Sequence, residues 1–444
     1  MSGNPELTRN LWLELTPHRL IGMPAILGLI FAFASTSGSG LVPGLALGLF
    51  GLITVLWGAN LCSESMLEEF RQGTWDTQRM SAMGPWQLAW GKLMGAPVFS
   101  WYGGAICLVV FALTTDGTAA SNAPLPTVLG VLPTVLGALA MAVLTQAMGA
   151  ILGLAAARSG TRTRSSLFIV FIFLFVSYGA WLPGSLARWD AVMWFGIEMA
   201  PVWFAVLSLW AFAAWSIVGF WRMLCGELQL RKPPLAWLGF AVFLTIYAAG
   251  LVAGRLPKAV PGQVFAGTAF VVAMTLSYGV VLFEQRNFIS LRRLALHWHI
   301  GDLQRVWEEV PCWMVTLLLA LFAALYLASQ GIPVNNFGPV SIAVGTLPLV
   351  LGLFAVRDIA LLHFFSLSQR PQRAVMATMI YLGLLYWLLP SLLDAVGLDA
   401  LAAWLRPGIT REATPGIAAG LVNAAAGIAL VVWRWRQRLA AMAH

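Results

Sequence analysis

Long apolar runs broken by short polar stretches cover the chain from about Leu20 to Trp433. A helix that crosses a bilayer needs about 20 mostly apolar residues, because the hydrocarbon core is roughly 30 Å thick. Twelve runs approach or exceed that length. The first six are Leu20–Ser35, Leu41–Ala59, Leu93–Leu113, Leu125–Ala157, Leu167–Leu182 and Val192–Phe220. The second six are Leu235–Gly254, Val264–Phe283, Cys312–Ala328, Val340–Val356, Val375–Leu393 and Gly416–Trp433. Two are too long for one straight span: Leu125–Ala157 contains Pro133, and Val192–Phe220 contains Glu198 and Pro201. Each is expected to be a broken helix, or a short surface helix followed by a span. The pattern predicts an all-α polytopic membrane protein of about 12 transmembrane helices.

Charge gives the runs a direction. Cytoplasmic loops collect Lys and Arg. With the N-terminus inside, only Arg188, Arg255, Lys258, Arg406 and Arg411 of the 26 Lys and Arg residues fall outside. Both termini are therefore expected to be cytoplasmic. Only 10% of residues are charged, 59% are apolar and mean hydropathy is +0.81. A soluble domain carries about 25% charged residues, so a water-soluble fold is excluded. The formal charge of +8 is expected to face anionic lipid headgroups rather than nucleic acid. Cys62, Cys107, Cys225 and Cys312 are expected to stay reduced in that compartment. The N-terminal stretch up to Leu20 lacks the apolar core of a signal peptide.

Six runs fall in each half of the chain. At a shift of 217 positions Leu11, Leu13, Pro17, Gly22 and Leu27 meet Leu228, Leu230, Pro234, Gly239 and Leu244. Gly84, Gln87 and Trp90 then meet Gly301, Gln304 and Trp307. This predicts two six-helix repeats, residues 1–220 and a divergent 221–444. Six is even, so the repeats are expected to share one topology, related by an axis along the membrane normal.

The stretch Ser63–Lys92 between the second and third runs is polar. It reads as a helix continuing from the membrane through Glu64, Glu68, Glu69 and Arg71, a break at Gly73-Thr74-Trp75-Asp76, and a short helix through Gln78, Arg79 and Met80. A turn at Gly84-Pro85 follows, since Gly supplies positive φ and the Pro ring presets its own φ for a turn. Pro5–Arg19 places Leu7, Leu11, Trp12 and Leu15 at helical spacing, with Glu6, Arg9, Asn10 and Glu14 elsewhere around the wheel. Such a helix lies in the membrane interface.

The order of Glu68, Glu69, Gly73, Thr74, Asp76, Pro85, Gly91 and Lys92 resembles the first cytosolic loop of ABC-2-type transporter permeases. In that family the loop forms a coupling helix that docks on an ATP-binding subunit, and an elbow helix precedes the first span. The resemblance covers the first of the two repeats, 1–220. It implies the membrane subunit of an ATP-driven exporter in a bacterial inner membrane, not itself an enzyme. Its partners would be separate ABC ATP-binding subunits, which would hold the ATP and Mg, and an exported substrate that is not identified. Coupling would fall to Glu68, Glu69, Gly73, Thr74, Asp76 and Arg79. In the second half Ser290, Leu291 and Arg293 replace Gly73, Thr74 and Asp76, so Arg292 and Arg293 would serve a different ATPase face or a second, non-identical ATPase. The family's re-entrant outer helices would fall at Trp181–Pro201 and Leu389–Pro407.

The chain has no phosphate-binding loop of its own. Its one Gly-Lys pair, Gly91-Lys92, has Trp86 where the motif needs Gly and Leu93 where it needs Ser or Thr. His297, His299 and Cys312 form no recognised metal spacing, and no metal is expected. Glu198 is expected at the wet outer surface. Arg357-Asp358 reads as a pair at a cytosolic helix end. Gln146 and Asn423 are expected to bond between helices or to line a path. The rival class is an ion-coupled secondary transporter with two six-span halves. It needs ionisable groups near the midplane, and on this reading the chain offers almost none.

Overall fold

The structure is a computed structural model of the chain. It describes all residues except 1–3, 38–39, 82, 116–126, 160–190, 231, 257–259, 284–287, 331–334, 338–339, 343–344, 369–372, 408–412 and 444. The predicted span Leu167–Leu182 lies outside the described residues. The chain divides into two compact units, Met1–Val192 with Glu198–Arg231, and Met193–Ile197 with Lys232–His444.

Among the described residues ten helices are long and apolar enough to cross a membrane, or eleven if one bent pair counts as a single span. The chain is an all-α, multi-pass membrane protein. The first unit contains α1 (Pro5–Glu14) and α2 (Pro17–Ser37). Pro17 fits the start of α2, where its missing N–H costs nothing. Helix α3 (Leu41–Arg71) has 31 residues. At 1.5 Å per residue it is about 46 Å long, so it outruns the hydrocarbon core and its polar end projects. A π-helical segment, Gly51–Trp57, interrupts it. Then come α4 (Trp75–Arg79), α5 (Pro85–Gly95) and α6 (Val98–Thr114). The last two meet at a 53° bend at Ala96-Pro97, where proline breaks the hydrogen-bond ladder. Helices α7 (Thr127–Ser159) and α8 (Pro201–Glu227) complete the unit.

Helix α7 packs tightly on α3. A Cβ on Gly149 would run into the Ala59 carbonyl oxygen, and one on Gly153 would lie 2.5 Å from that of Ser63. Small residues four apart allow such backbone contact where lipid offers no hydrophobic drive to associate. Gln146, fully buried, donates to the Thr54 carbonyl in the π segment at 3.0 Å and accepts from Trp101 Nε1 at 2.9 Å. It is an interhelical bond, one of the two expected roles.

The second unit holds α9 (Leu235–Arg255), α10 (Pro261–Phe283), α11 (Phe288–Ile300), α12 (Leu303–Glu309) and α13 (Cys312–Ser329). After them come α14 (Leu347–Ser366), α15 (Ala374–Ala395, with a π segment at Leu384–Leu388), α16 (Asp399–Leu405) and α17 (Ala413–Ala443). Ser277 of α10 donates to Thr316 of α13 at 2.8 Å. Gly420 and Gly427 bring α17 against Leu353, Arg357 and Ala360 of α14.

Two expectations are corrected. The stretch before α8 is not a re-entrant helix across 192–199. Strands β1 (Val192–Trp194) and β2 (Ile197–Met199) form a hairpin. Phe195 and Gly196 both take positive φ, 49° and 78°, which the favoured two-residue hairpin turn requires. Glu198 is exposed on β2. The predicted run Val340–Val356 is shifted. Val340–Ile342 is a strand, β4, paired with Asn335–Phe337, β3. The helix begins after Thr346, with Pro348 in its first turn, where proline is tolerated. It runs on to Ser366, so Arg357-Asp358 lies at mid-helix and not at an end.

Candidate functional site

The polar end of the first unit is built around one lysine. Lys92 of α5 is 2% exposed, and it is paired with Glu6 of α1 (2.8 Å) and Glu69 of α3. The two carboxylates are themselves buried, 4% and 7% exposed. Arg9 closes the cluster, 3.0 Å from Glu6 and 3.7 Å from Glu69. Two acids and two bases leave it formally neutral. A buried carboxylate is tolerated only when it is paired and hydrogen-bonded.

Three local features place these groups. Asn4 caps α1 through bonds from the Glu6 and Leu7 amides to its Oδ1, at 3.1 and 3.4 Å, and its own amide donates to the Gln87 carbonyl. Gly91 and Gly95 face α1. A Cβ on Gly91 would sit 2.7 Å from Glu6 Cβ, and one on Gly95 2.7 Å from Asn10 Nδ2. This glycine groove lets α1 lie directly on α5. Trp12 and Leu13, 82% and 63% exposed, point away from it. Glu6 and Asn10 face α5, while Thr8 and Arg9 are exposed with Trp12 and Leu13, and Leu7, Leu11 and Leu15 are half-buried, so the outer face is mixed and is not the expected Leu7–Leu11–Trp12–Leu15 stripe.

Third, α3 ends in a left-handed residue, Gly73, with φ +69°. The Thr74 amide and hydroxyl both donate to the Glu69 carbonyl, at 3.1 and 3.3 Å. This cap turns the chain so that Gln78 of α4 reaches back to Glu69 Oε1 at 2.6 Å. Trp75 is 4% exposed and stacks on Phe70 at 4.9 Å. Gly84 then caps α5, its amide bonding Gln87 Oε1 at 3.3 Å.

The sequence-predicted residues therefore separate into two sets. Glu69 turns inward and belongs to the ion cluster. Glu68, Gly73, Thr74, Asp76 and Arg79 are exposed. Gln72 bonds Glu68 at 2.7 Å, and Arg79 pairs with Asp76 at 3.5 Å. Met80 at the tip is 83% exposed. Arg292 and Arg293 lie in the second unit, both exposed on α11, with Arg293 3.7 Å from Glu309 of α12. Of the two residues that carry the brace, Lys92 belongs to the loop pattern but had no coupling role assigned to it, and Glu6 lies outside that pattern. The usable signal was Gly91 and Gly95, one helical turn apart beside a lysine, which marks a face built for close helix contact.

The described residues of this cluster place no nucleophile beside a base. No group of three or more metal-ligating side chains occurs among the described residues. The arrangement is suited to holding helices at fixed angles. No protein-family model, curated protein or solved structure matches the chain.

Proposed function

We propose that the chain is the membrane subunit of an ATP-driven exporter, energised by separate ATP-binding subunits that dock on α4. One observation carries this reading: a short exposed helix rests on a buried ion cluster that ties it to α1 and to the bent α5–α6 pair. Load applied to α4 passes through Gln78 and Glu69 into Lys92, and from there into the helix that leads to α6. A flexible connecting loop would not need two buried carboxylates and a buried amine. The exposed set, Glu68, Asp76, Arg79 and Met80, offers a partner both charge and an apolar contact. On this reading α4 is cytosolic and the substrate remains open.

The repeat reading draws support from element positions. The shift of 217 positions carries Pro17–Ser37 onto Leu235–Arg255 to within one residue. It carries Val98–Thr114 onto Cys312–Ser329 to within three. Two parallel six-helix halves would form a translocation unit in one chain.

The second reading, ion-coupled transport, gains one observation. Arg357 and Asp358 are both 4% exposed at the middle of α14, whereas the sequence pattern put them at a helix end. Ionisable groups at that depth mark functional sites by default.

The test is affinity purification of the tagged chain in mild detergent from its native membrane, with and without Asp76→Lys combined with Met80→Glu. The exporter reading expects a nucleotide hydrolase to co-elute with the wild type and to be lost from the variant, while both elute as the same folded species. Retention of the hydrolase by the variant refutes docking on α4. Its absence from the wild type under crosslinking refutes the exporter reading.

A further inference from the structure

The second unit contains a polar cluster unrelated to α4. Arg357 of α14 donates through Nε and Nη2 to Asp358 Oδ1, at 3.1 and 3.0 Å. Its Nη1 donates to the Leu405 carbonyl and to Asn423 Oδ1, both at 3.1 Å. The guanidinium carbon lies 4.8 Å from the Phe354 ring centre and 4.5 Å from that of Tyr386. Asp358 Oδ2 accepts from Tyr278 and Tyr386, at 2.9 and 2.7 Å. The Asn423 amide donates to the Trp404 carbonyl at 2.7 Å.

The partners of the guanidinium among the described residues are acceptor oxygens and aromatic faces. The oxygens come from three helices: Asp358 from α14, Leu405 from α16 and Asn423 from α17. Trp404 and Leu405 end α16, and the last carbonyls of a helix have no intrahelical donor. Here a guanidinium and an amide supply the donors. An ordinary ion pair between neighbours needs no third helix. Nor does a buried pair usually add stability over apolar residues of the same shape. What these charges add is a fixed position for the end of a helix that is distant in the chain.

We propose that the Phe354–Asp358–Tyr386–Leu405–Asn423 cage is a binding site for a flat organic cation of the guanidinium type, filled in cis by Arg357, and that filling it locks α16 to α14 and α17. The planar fork matches this set of acceptors, and its faces match the two rings. A sodium ion seeks more oxygens at shorter range than the three offered here, and an ammonium has no flat face for the rings. The site does not depend on ATPase docking.

The test uses a thiol reporter in the full chain. Ala402 of α16 is fully buried, so Ala402→Cys reports release of that helix. Cys312→Ser removes the one native cysteine that is not buried; Cys62, Cys107 and Cys225 report unfolding of the first unit, and Ala320→Cys in a parallel variant, fully buried on α13, reports unfolding of the second. In this background Arg357→Ala is expected to speed labelling at position 402 at least tenfold, with the buried native cysteines and, in the parallel variant, position 320 still protected. Guanidinium at non-denaturing concentration is expected to restore protection, and sodium at equal ionic strength is not. Asp358→Asn is expected to expose position 402 without rescue. Equal rescue by sodium, rescue of Asp358→Asn, or wild-type protection in Arg357→Ala overturns the proposal. Should Arg357→Ala fail to fold, Asn423→Ala decides. It keeps the ion pair but removes one acceptor for Arg357 and the donor to the Trp404 carbonyl, and wild-type protection at position 402 in that variant also overturns it.

Discussion

Lys92→Met puts the brace under the sharpest strain. The substitution keeps an apolar stem of similar size and removes the terminal ammonium, its charge and its hydrogen-bond donors. Two carboxylates, 4% and 7% exposed, then lose their central partner. Removing one member of a buried pair costs about 3–5 kcal/mol. Arg9 still reaches both acids, at 3.0 and 3.7 Å, so the expected loss is about 3 kcal/mol, the low end of that range. The loss should fall on docking of α1, not on the whole unit, because α1 is a peripheral helix of 10 residues. A shift of about 3 kcal/mol is roughly 150-fold in an equilibrium. Hydrogen exchange of the segment 5–14 in detergent should accelerate by about that factor, with 261–283 unchanged as an internal reference. Arg9→Ala is the contrast. Its side chain is 53% exposed, and exposed pairs contribute about 0–1 kcal/mol, so exchange should rise no more than about fivefold. Adding Glu69→Gln to Lys92→Met should recover part of the loss, because it removes one of the stranded charges. Equal effects from Lys92→Met and Arg9→Ala would refute the ion-cluster account, as would native protection of α1 in Lys92→Met.

Other outcomes follow from backbone geometry. Gly91→Ala would put a methyl 2.7 Å from Glu6 Cβ; overpacking of this kind costs about 1–3 kcal/mol, and exchange in α1 should rise while α7 stays protected. Gly73→Ala should weaken the α3 cap by about 1–2 kcal/mol, because φ is +69°. Gly73→Asn should recover much of that loss, and limited proteolysis at 72–80 reads the difference. Gly153→Val would drive a side chain into the Ser63 backbone, where a Cβ alone sits 2.5 Å from the carbonyl oxygen. It should abolish a monodisperse elution peak, whereas Gly279→Val, with nothing within 4 Å of a Cβ, should not.

Membrane character and the order of the polar projection were legible from hydrophobic periodicity, because lipid forces apolar residues into runs of fixed length. Gly73 as a break and Gly84-Pro85 as a turn were legible because each needs a backbone that other residues resist. Which acid faced inward was not. Glu68 and Glu69 are neighbours, and only the helical step of about 100° per residue separates an exposed side chain from a buried one. The loop pattern gives the step but not the phase, which is set by Lys92 when α5 packs against α3 from further along the chain.

The same loss of phase explains Arg357 and Asp358. An apolar run fixes the length of a span but only weakly fixes where it starts. Val340–Val356 and Leu347–Ser366 are both apolar enough to read as a span, and they differ by one pair of charges. Insertion scales charge about 2.5–3.5 kcal/mol for each such residue at a helix centre, so an apolar count alone ends the span before Arg357. The cage reverses that preference. The guanidinium has two acceptors beyond its carboxylate partner, and that carboxylate has two tyrosine donors. The partners come from Tyr278, Tyr386, Leu405 and Asn423, on four other helices. Where long-range partners cancel a local cost, the local pattern places the boundary wrongly. A displaced boundary next to an ionisable pair is therefore a signal in itself: the charges are inside because several distant residues are arranged to receive them.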